Sequence, residues 1–157
     1  MKKYFGFSLI ELVLVIVVIG IVVSASSRSI MEGLNSFVSA QSFYKLDWQA
    51  NMALEEITRE ARTIPTPASI TTATASQFTF VDSTNTTMSY TISGGNILEN
   101  GVILATNATS LAFTYYTRLG ASTATLSAIR FVKISITLTS GTNTYTYTTT
   151  VNLQDLP

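Results

Sequence analysis

The chain reads as an α+β protein: a long N-terminal, membrane-anchored α-helix packed on a C-terminal antiparallel β-sheet. Three observations predict this. Residues 7–23 form an apolar run broken by one carboxylate, Glu11. Behind that run, apolar residues recur at helical spacing as far as Pro65 and Pro67. Past Pro67 the chain turns rich in Thr and Ser, and the apolar period drops from about 3.6 to about 2.

The apolar run from Phe7 to Val23, at about 1.5 Å rise per residue, spans roughly 26 Å, near the lower limit for crossing a bilayer core. Ser24, Ala25, Ser26 and Ser27 extend it without adding charge. Lys2 and Lys3 precede it and no acidic residue comes before Glu11, so the positive-inside rule places the N-terminus in the cytoplasm and the remainder outside. A cleaved signal peptide would have a shorter apolar region and a small-residue cleavage site. Ala25-Ser26-Ser27 loosely offers one but leaves Glu11 without a reason. An ionised Glu near the hydrocarbon costs roughly 2–3 kcal/mol or more, so this side chain demands a partner or a function.

The helix is expected to continue to about Ile64. Ile30, Leu34, Phe37, Val38, Tyr44, Trp48, Met52 and Ile57 follow one another at helical spacing, which predicts an apolar stripe. The aromatic residues Phe37, Phe43, Tyr44 and Trp48 are expected to be buried beneath the following domain. Glu55 and Arg59, four apart, are placed to pair. Pro65 and Pro67 end the helix by removing donors and favouring extended geometry before them.

Beyond Pro67, Val132–Leu138 alternates strictly and predicts a strand with one buried face. Leu111, Phe113 and Tyr115 predict another, as do Tyr145, Tyr147, Thr149, Val151 and Leu153. Phe78 with Phe80, and Met88 with Tyr90 and Ile92, mark two earlier strands. Turn signals lie at Gly94-Gly95, Asn100-Gly101, Gly120 and Ser140–Asn143, and short turns imply antiparallel neighbours.

Composition narrows the chemistry. The chain has no Cys and no His, which removes disulfides, the common zinc sites and Cys/His or Ser-His-Asp nucleophilic catalysis. No catalytic residue, metal site, cofactor or small-molecule substrate is expected. The formal net charge is +0, and Arg59 and Arg62 beside Glu55, Glu56 and Glu60 make no basic stripe, so no nucleic-acid partner is expected. Asp82, Asn85, Glu99 and Asn100 carry oxygen ligands but lack calcium-loop spacing, and they read as solvated turns.

The residues Lys2, Lys3, Gly6, Phe7, Ser8, Leu9, Ile10 and Glu11, followed by the long apolar run, resemble the N-termini of type IV pilins and type II secretion pseudopilins. The resemblance implies a pilin-like fold and a leader, residues 1–6, cut by a prepilin peptidase between Gly6 and Phe7. It further implies N-methylation of Phe7 and pairing of Glu11 with the first amino group of a neighbouring subunit during assembly. On this reading residues 7–27 are the transmembrane and assembly half of the helix, 28–64 its amphipathic half, and 65–157 the β domain. The partners implied are the peptidase, other pilin or pseudopilin subunits and the bacterial inner membrane. The final location is a periplasmic or cell-surface filament. Arg28 stands where many major pilins have a helix-bending Pro. From Gly94 to Ile136 the order of apolar runs, Phe113-Thr114-Tyr115 and Arg130-Phe131-Val132-Lys133-Ile134 is similar to J-type minor pseudopilins and W-type minor pilins, which implies a subunit that initiates or caps the filament. The alternative is a displayed adhesin or substrate-binding module using the Tyr115–Gly120 or Ser140–Asn143 loops.

Overall fold

The computed structural model describes Gly6 and residues 8–153. Its elements are α1 (Leu9–Ala61), β1 (Ile70–Ala73), β2 (Phe78–Val81), β3 (Thr87–Ser93), β4 (Asn96–Glu99), β5 (Val102–Thr106), β6 (Ala108–Tyr116), β7 (Phe131–Ser140) and β8 (Asn143–Asn152). The chain separates into two compact units, Met1–Ser42 and Phe43–Pro157, and α1 contributes to both.

In the first unit α1 runs without interruption through Arg28, which pairs with Glu32 at 3.5 Å. The hydroxyls of Ser26, Ser27 and Ser36 donate to carbonyls one turn back, those of Val22, Val23 and Glu32, so these polar groups are satisfied within the helix. The large apolar side chains from Leu9 to Val38 are all exposed. A helix apolar around its whole circumference belongs in lipid or among other helices. Among the described residues α1 is the helix long and apolar enough to cross a membrane.

The second unit holds two antiparallel sheets where the alternation pattern alone suggests one. Strands β1-β2-β3-β4-β5 form a meander and β6-β7-β8 a second. Gly94-Gly95 (φ 58° and 75°) and Asn100-Gly101 (φ 50° and 84°) supply paired left-handed residues, the geometry that closes tight hairpins between β3, β4 and β5. Asn107 (φ 59°), between β5 and β6, is where the chain leaves the first sheet. Its carbonyl accepts from Thr139 N, while Ala108 N donates to Gly95 O, so the corner is tied to both sheets.

Phe78 joins the two layers, with its ring 5.6 Å from Phe113 and 5.7 Å from Tyr115 between centroids. Tyr115 donates its hydroxyl to the carbonyls of Thr74 (2.9 Å) and Gln77 (3.3 Å), and Phe113 N donates to Ala75 O. The loop between β1 and β2 is thereby stitched to β6.

From α1 the buried residues are Leu46, Ala50, Ala53, Leu54, Ile57 and Ala61, all part of the core formed with both sheets. Of the predicted stripe only Ile57 is buried, whereas Tyr44 (69% exposed), Trp48 (64%) and Met52 lie on the opposite face of the helix. The reason is phase. Tyr44, Trp48 and Met52 sit two positions from Leu46, Ala50 and Leu54, a rotation of about 200° at 3.6 residues per turn. Phe37 is exposed as well, and of the aromatic set only Phe43 packs, at 4.9 Å from the Tyr145 ring. Arg59 pairs with Glu56 and Glu60, not with Glu55. The helix ends at Ala61, and the buried Ile64 follows it before Pro65.

Two outcomes follow from this packing. Ala53→Leu, which adds volume at a fully buried site, should destabilise by about 1–3 kcal/mol, whereas Trp48→Ala should change stability by no more than about 0.5 kcal/mol; urea unfolding in detergent micelles reads both. Burial, with its hydrogen bond to Glu99, raises the Tyr90 hydroxyl above its ordinary range, and burial raises that of Tyr115. The folded state therefore holds these protons more tightly than the unfolded chain. That stabilisation is intact below about pH 10 and is lost as pH rises beyond it. Thermal unfolding across pH 8–12 should show the decline, and replacing both tyrosines by Phe should flatten it.

Candidate processing and assembly site

Ser8 opens α1. Its carbonyl accepts from Glu11 N (3.1 Å) and Leu12 N (3.2 Å), and its hydroxyl accepts from Glu11 N at 3.3 Å. Ser8-Leu9-Ile10-Glu11 therefore has the Ser-x-x-Glu spacing of a capping box, with Glu11 at the third helical position. The carboxylate stands in the first turn, where the exposed N–H groups carry partial positive charge.

Glu11 is exposed, and its carboxylate makes no hydrogen bond or ion pair among the described residues. Gly6 is also exposed, and a Cβ added there would meet nothing within 4 Å among them. No contact within the described chain therefore requires Gly at this position. Phe7, together with Lys2 and Lys3, lies outside the described residues. Gly6 and Glu11 thus flank the start of the helix, and Ser8 fixes where that start falls.

Capping by Ser8 is a feature that reading the segment for hydropathy alone misses. The signal was present as the Ser-x-x-Glu spacing just before an apolar run.

Other candidate ligands are engaged in local structure. Asp82 accepts from Thr84 N, Thr84 Oγ1 and Thr86 N, and the bond from Thr86 leads in holding its carboxyl below the usual range. Glu99 accepts from Tyr90, and Asn100 Oδ1 accepts from Ser89 N. Among the described residues no group of three or more acidic side chains is placed to hold a metal ion. Arg130 donates to the carbonyls of Ser127 and Ile129, and its own carbonyl accepts from Leu153 N.

Replacing Ser8 with Ala should weaken the first turn of α1 by about 1 kcal/mol, and Asp at the same position should restore it; amide hydrogen exchange at Glu11 and Leu12 in micelles measures both. In comparisons with known proteins, a family model described as a prokaryotic N-terminal methylation motif matches residues 1–27. No curated protein and no solved structure matches the chain significantly. The motif indicates a pilin- or pseudopilin-type substrate of prepilin peptidase, characteristic of structural proteins, and supports a membrane-anchored, type IV pilin-like chain.

Proposed function

We propose that this chain is a structural subunit of a type IV pilus or type II secretion pseudopilus. Prepilin peptidase cuts it between Gly6 and Phe7, and Phe7 is then N-methylated. Before assembly the chain spans the inner membrane once, with its N-terminus in the cytoplasm. It then enters a periplasmic or cell-surface filament through contacts of α1 with other subunits. Glu11 sets the register by meeting the cationic amino terminus of a neighbour.

The observation that carries this reading is the Glu11 carboxylate, exposed at the start of an all-round apolar helix and without a partner among the described residues. A charge in such a place is tolerated when a cation reaches it, and assembly supplies one. Gly6 is exposed and an added Cβ would meet nothing within 4 Å among the described residues, which supports a requirement set by the peptidase and not by the fold. Within the filament we assign the chain to the J-type or W-type minor subunits that initiate or cap it. The order of its apolar runs, of Phe113-Thr114-Tyr115 and of Arg130 supports that assignment.

The expected outcomes separate processing from assembly. Gly6→Ala should leave the leader attached, seen as a larger product by mass spectrometry of membrane extracts. Glu11→Ala should be cut normally yet fall at least about tenfold in the sheared filament fraction, corresponding to about 1.4 kcal/mol. Cleavage of the wild-type chain near Ala25 instead of after Gly6 would overturn the proposal.

A further inference from the structure

The outer edge of β8 has no strand paired to it among the described residues. β8 pairs with β7 in unbroken register from Phe131↔Asn152 to Ser140↔Asn143 and is the last strand of its sheet. Leu153 N donates to Arg130 O at 2.9 Å, so odd-numbered residues of β8 direct their backbone groups to β7. Thr144, Thr146, Thr148, Thr150 and Asn152 therefore direct theirs outward, and none has a backbone partner there among the described residues.

Edges are normally protected by shortness, charge, proline, a bulge or a cover. β8 has ten residues with no charge, no proline and no register shift. The other edges differ. β1 has four residues and a register shift, β5 has five and adjoins one, and β6 is bonded on its outer side to Ala75, Gly95 and Thr123.

Beside this edge runs a groove of about 760 Å³ between β8 and the last turns of α1, lined by Asn51, Glu55, Thr58, Arg62 and Thr149 among others. Thr58 Oγ1 is buried and makes no hydrogen bond among the described residues. Arg59 is held by Glu56 and Glu60, whereas Arg62 has no ion pair among them. On the opposite face, Thr146 and Thr148 form a hydroxyl ladder with Thr137 (3.2 Å) and Ser135 (3.3 Å).

We infer that β8 accepts an added strand from a different polypeptide. The segment is extended, about nine residues long, uncharged beside the threonine ladder, and carries one carboxylate that enters the groove on the Arg62 side. Backbone pairing supplies affinity, and the alternating side chains supply choice. A second copy fits poorly: pairing of two β8 edges brings no carboxylate to the Arg62 groove, because β8 carries no charged residue.

The test uses the full chain in detergent micelles and a fluorescein-labelled nine-residue peptide of alternating Val and Thr with a central Glu, followed by anisotropy. Saturable binding is expected. Thr148→Pro removes an outward N–H and the exposed hydroxyl facing Ser135, leaves the backbone bonds to β7 in place, and should weaken binding at least about tenfold, with unchanged circular dichroism. Without altering the protein, N-methylating one alternate set of peptide amides should abolish binding and the other set should spare it. A Lys in place of the peptide Glu should bind more weakly, and Arg62→Glu should reverse that order. Absence of saturable binding, or equal loss from both N-methylated sets, would overturn the inference. So would a doubled mass by light scattering that Thr148→Pro abolishes, since that assigns the edge to a second copy. Binding in micelles requires neither leader cleavage nor Glu11, so failure here leaves the filament proposal standing, and the converse also holds.

Discussion

Burial of one face of α1 is the contact on which the second unit depends. Leu46, Ala50, Ala53, Leu54, Ile57 and Ala61 share a single core with Phe78, Phe80 and Tyr90 of the first sheet and Ile134, Ile136 and Leu138 of the second. Neither sheet is large, and the apolar face of each must be buried against another element. The helix covers both at once. It acts with Phe78, whose ring lies against Phe80 within its own sheet and against Phe113 and Tyr115 across the gap. The alanines suit this position because they fill buried space without forcing side chains out of their rotamers, and they favour the helix that carries them.

At the other end of the same helix the energetics are reversed. Leu9–Val23 has no cover among the described residues, and Glu11 lies inside it. The first-turn position favours a carboxylate by about 0.3–1 kcal/mol through the partial charges of the helix N-terminus. Charge near hydrocarbon costs roughly 2–3 kcal/mol or more. Helix position therefore offsets only part of the cost, and the balance is what the proposed cation of a neighbouring subunit supplies. This inequality supports the assembly role proposed for Glu11. Ser8 contributes by fixing the first turn, so that the carboxylate projects from a defined level of the helix.

Much of the fold was legible because strand alternation and turn chemistry agree. Phe78/Phe80, Met88/Tyr90/Ile92, Leu111/Phe113/Tyr115 and Val132–Leu138 all fall in strands, and the Gly94-Gly95 and Asn100-Gly101 hairpins close where those residues allow left-handed backbone. β1 escaped notice because Ile70–Ala73 has four residues, two of them Thr, and a bulged register. Division into two sheets depends on Asn107, a single left-handed residue in an otherwise continuous pattern. The helix stripe was misplaced because large side chains dominate any reading by hydrophobicity, while the buried face is half alanine. At the N-terminus the motif was plain from residue identities, but the capping bond became visible only with the geometry of Ser8 and Glu11.

The threonine-rich sheet raises a different physical question, because composition and position favour opposite behaviour. Thr is well suited to a strand with one solvated face, where its branched Cβ favours extended backbone and its hydroxyl remains hydrated or bonds across the ladder. A neutral threonine row does nothing to repel another strand, however, and β8 places that row on an edge ten residues long. Substituting Lys or Glu at outward positions would have protected the edge without disturbing Val132, Ile134, Ile136 and Leu138, which are buried in the adjoining strand. Stability of the core therefore does not account for an uncharged β8. The inferred added strand accounts for it, acting on the open side of the strand, where five backbone positions lie beside the Arg62 groove.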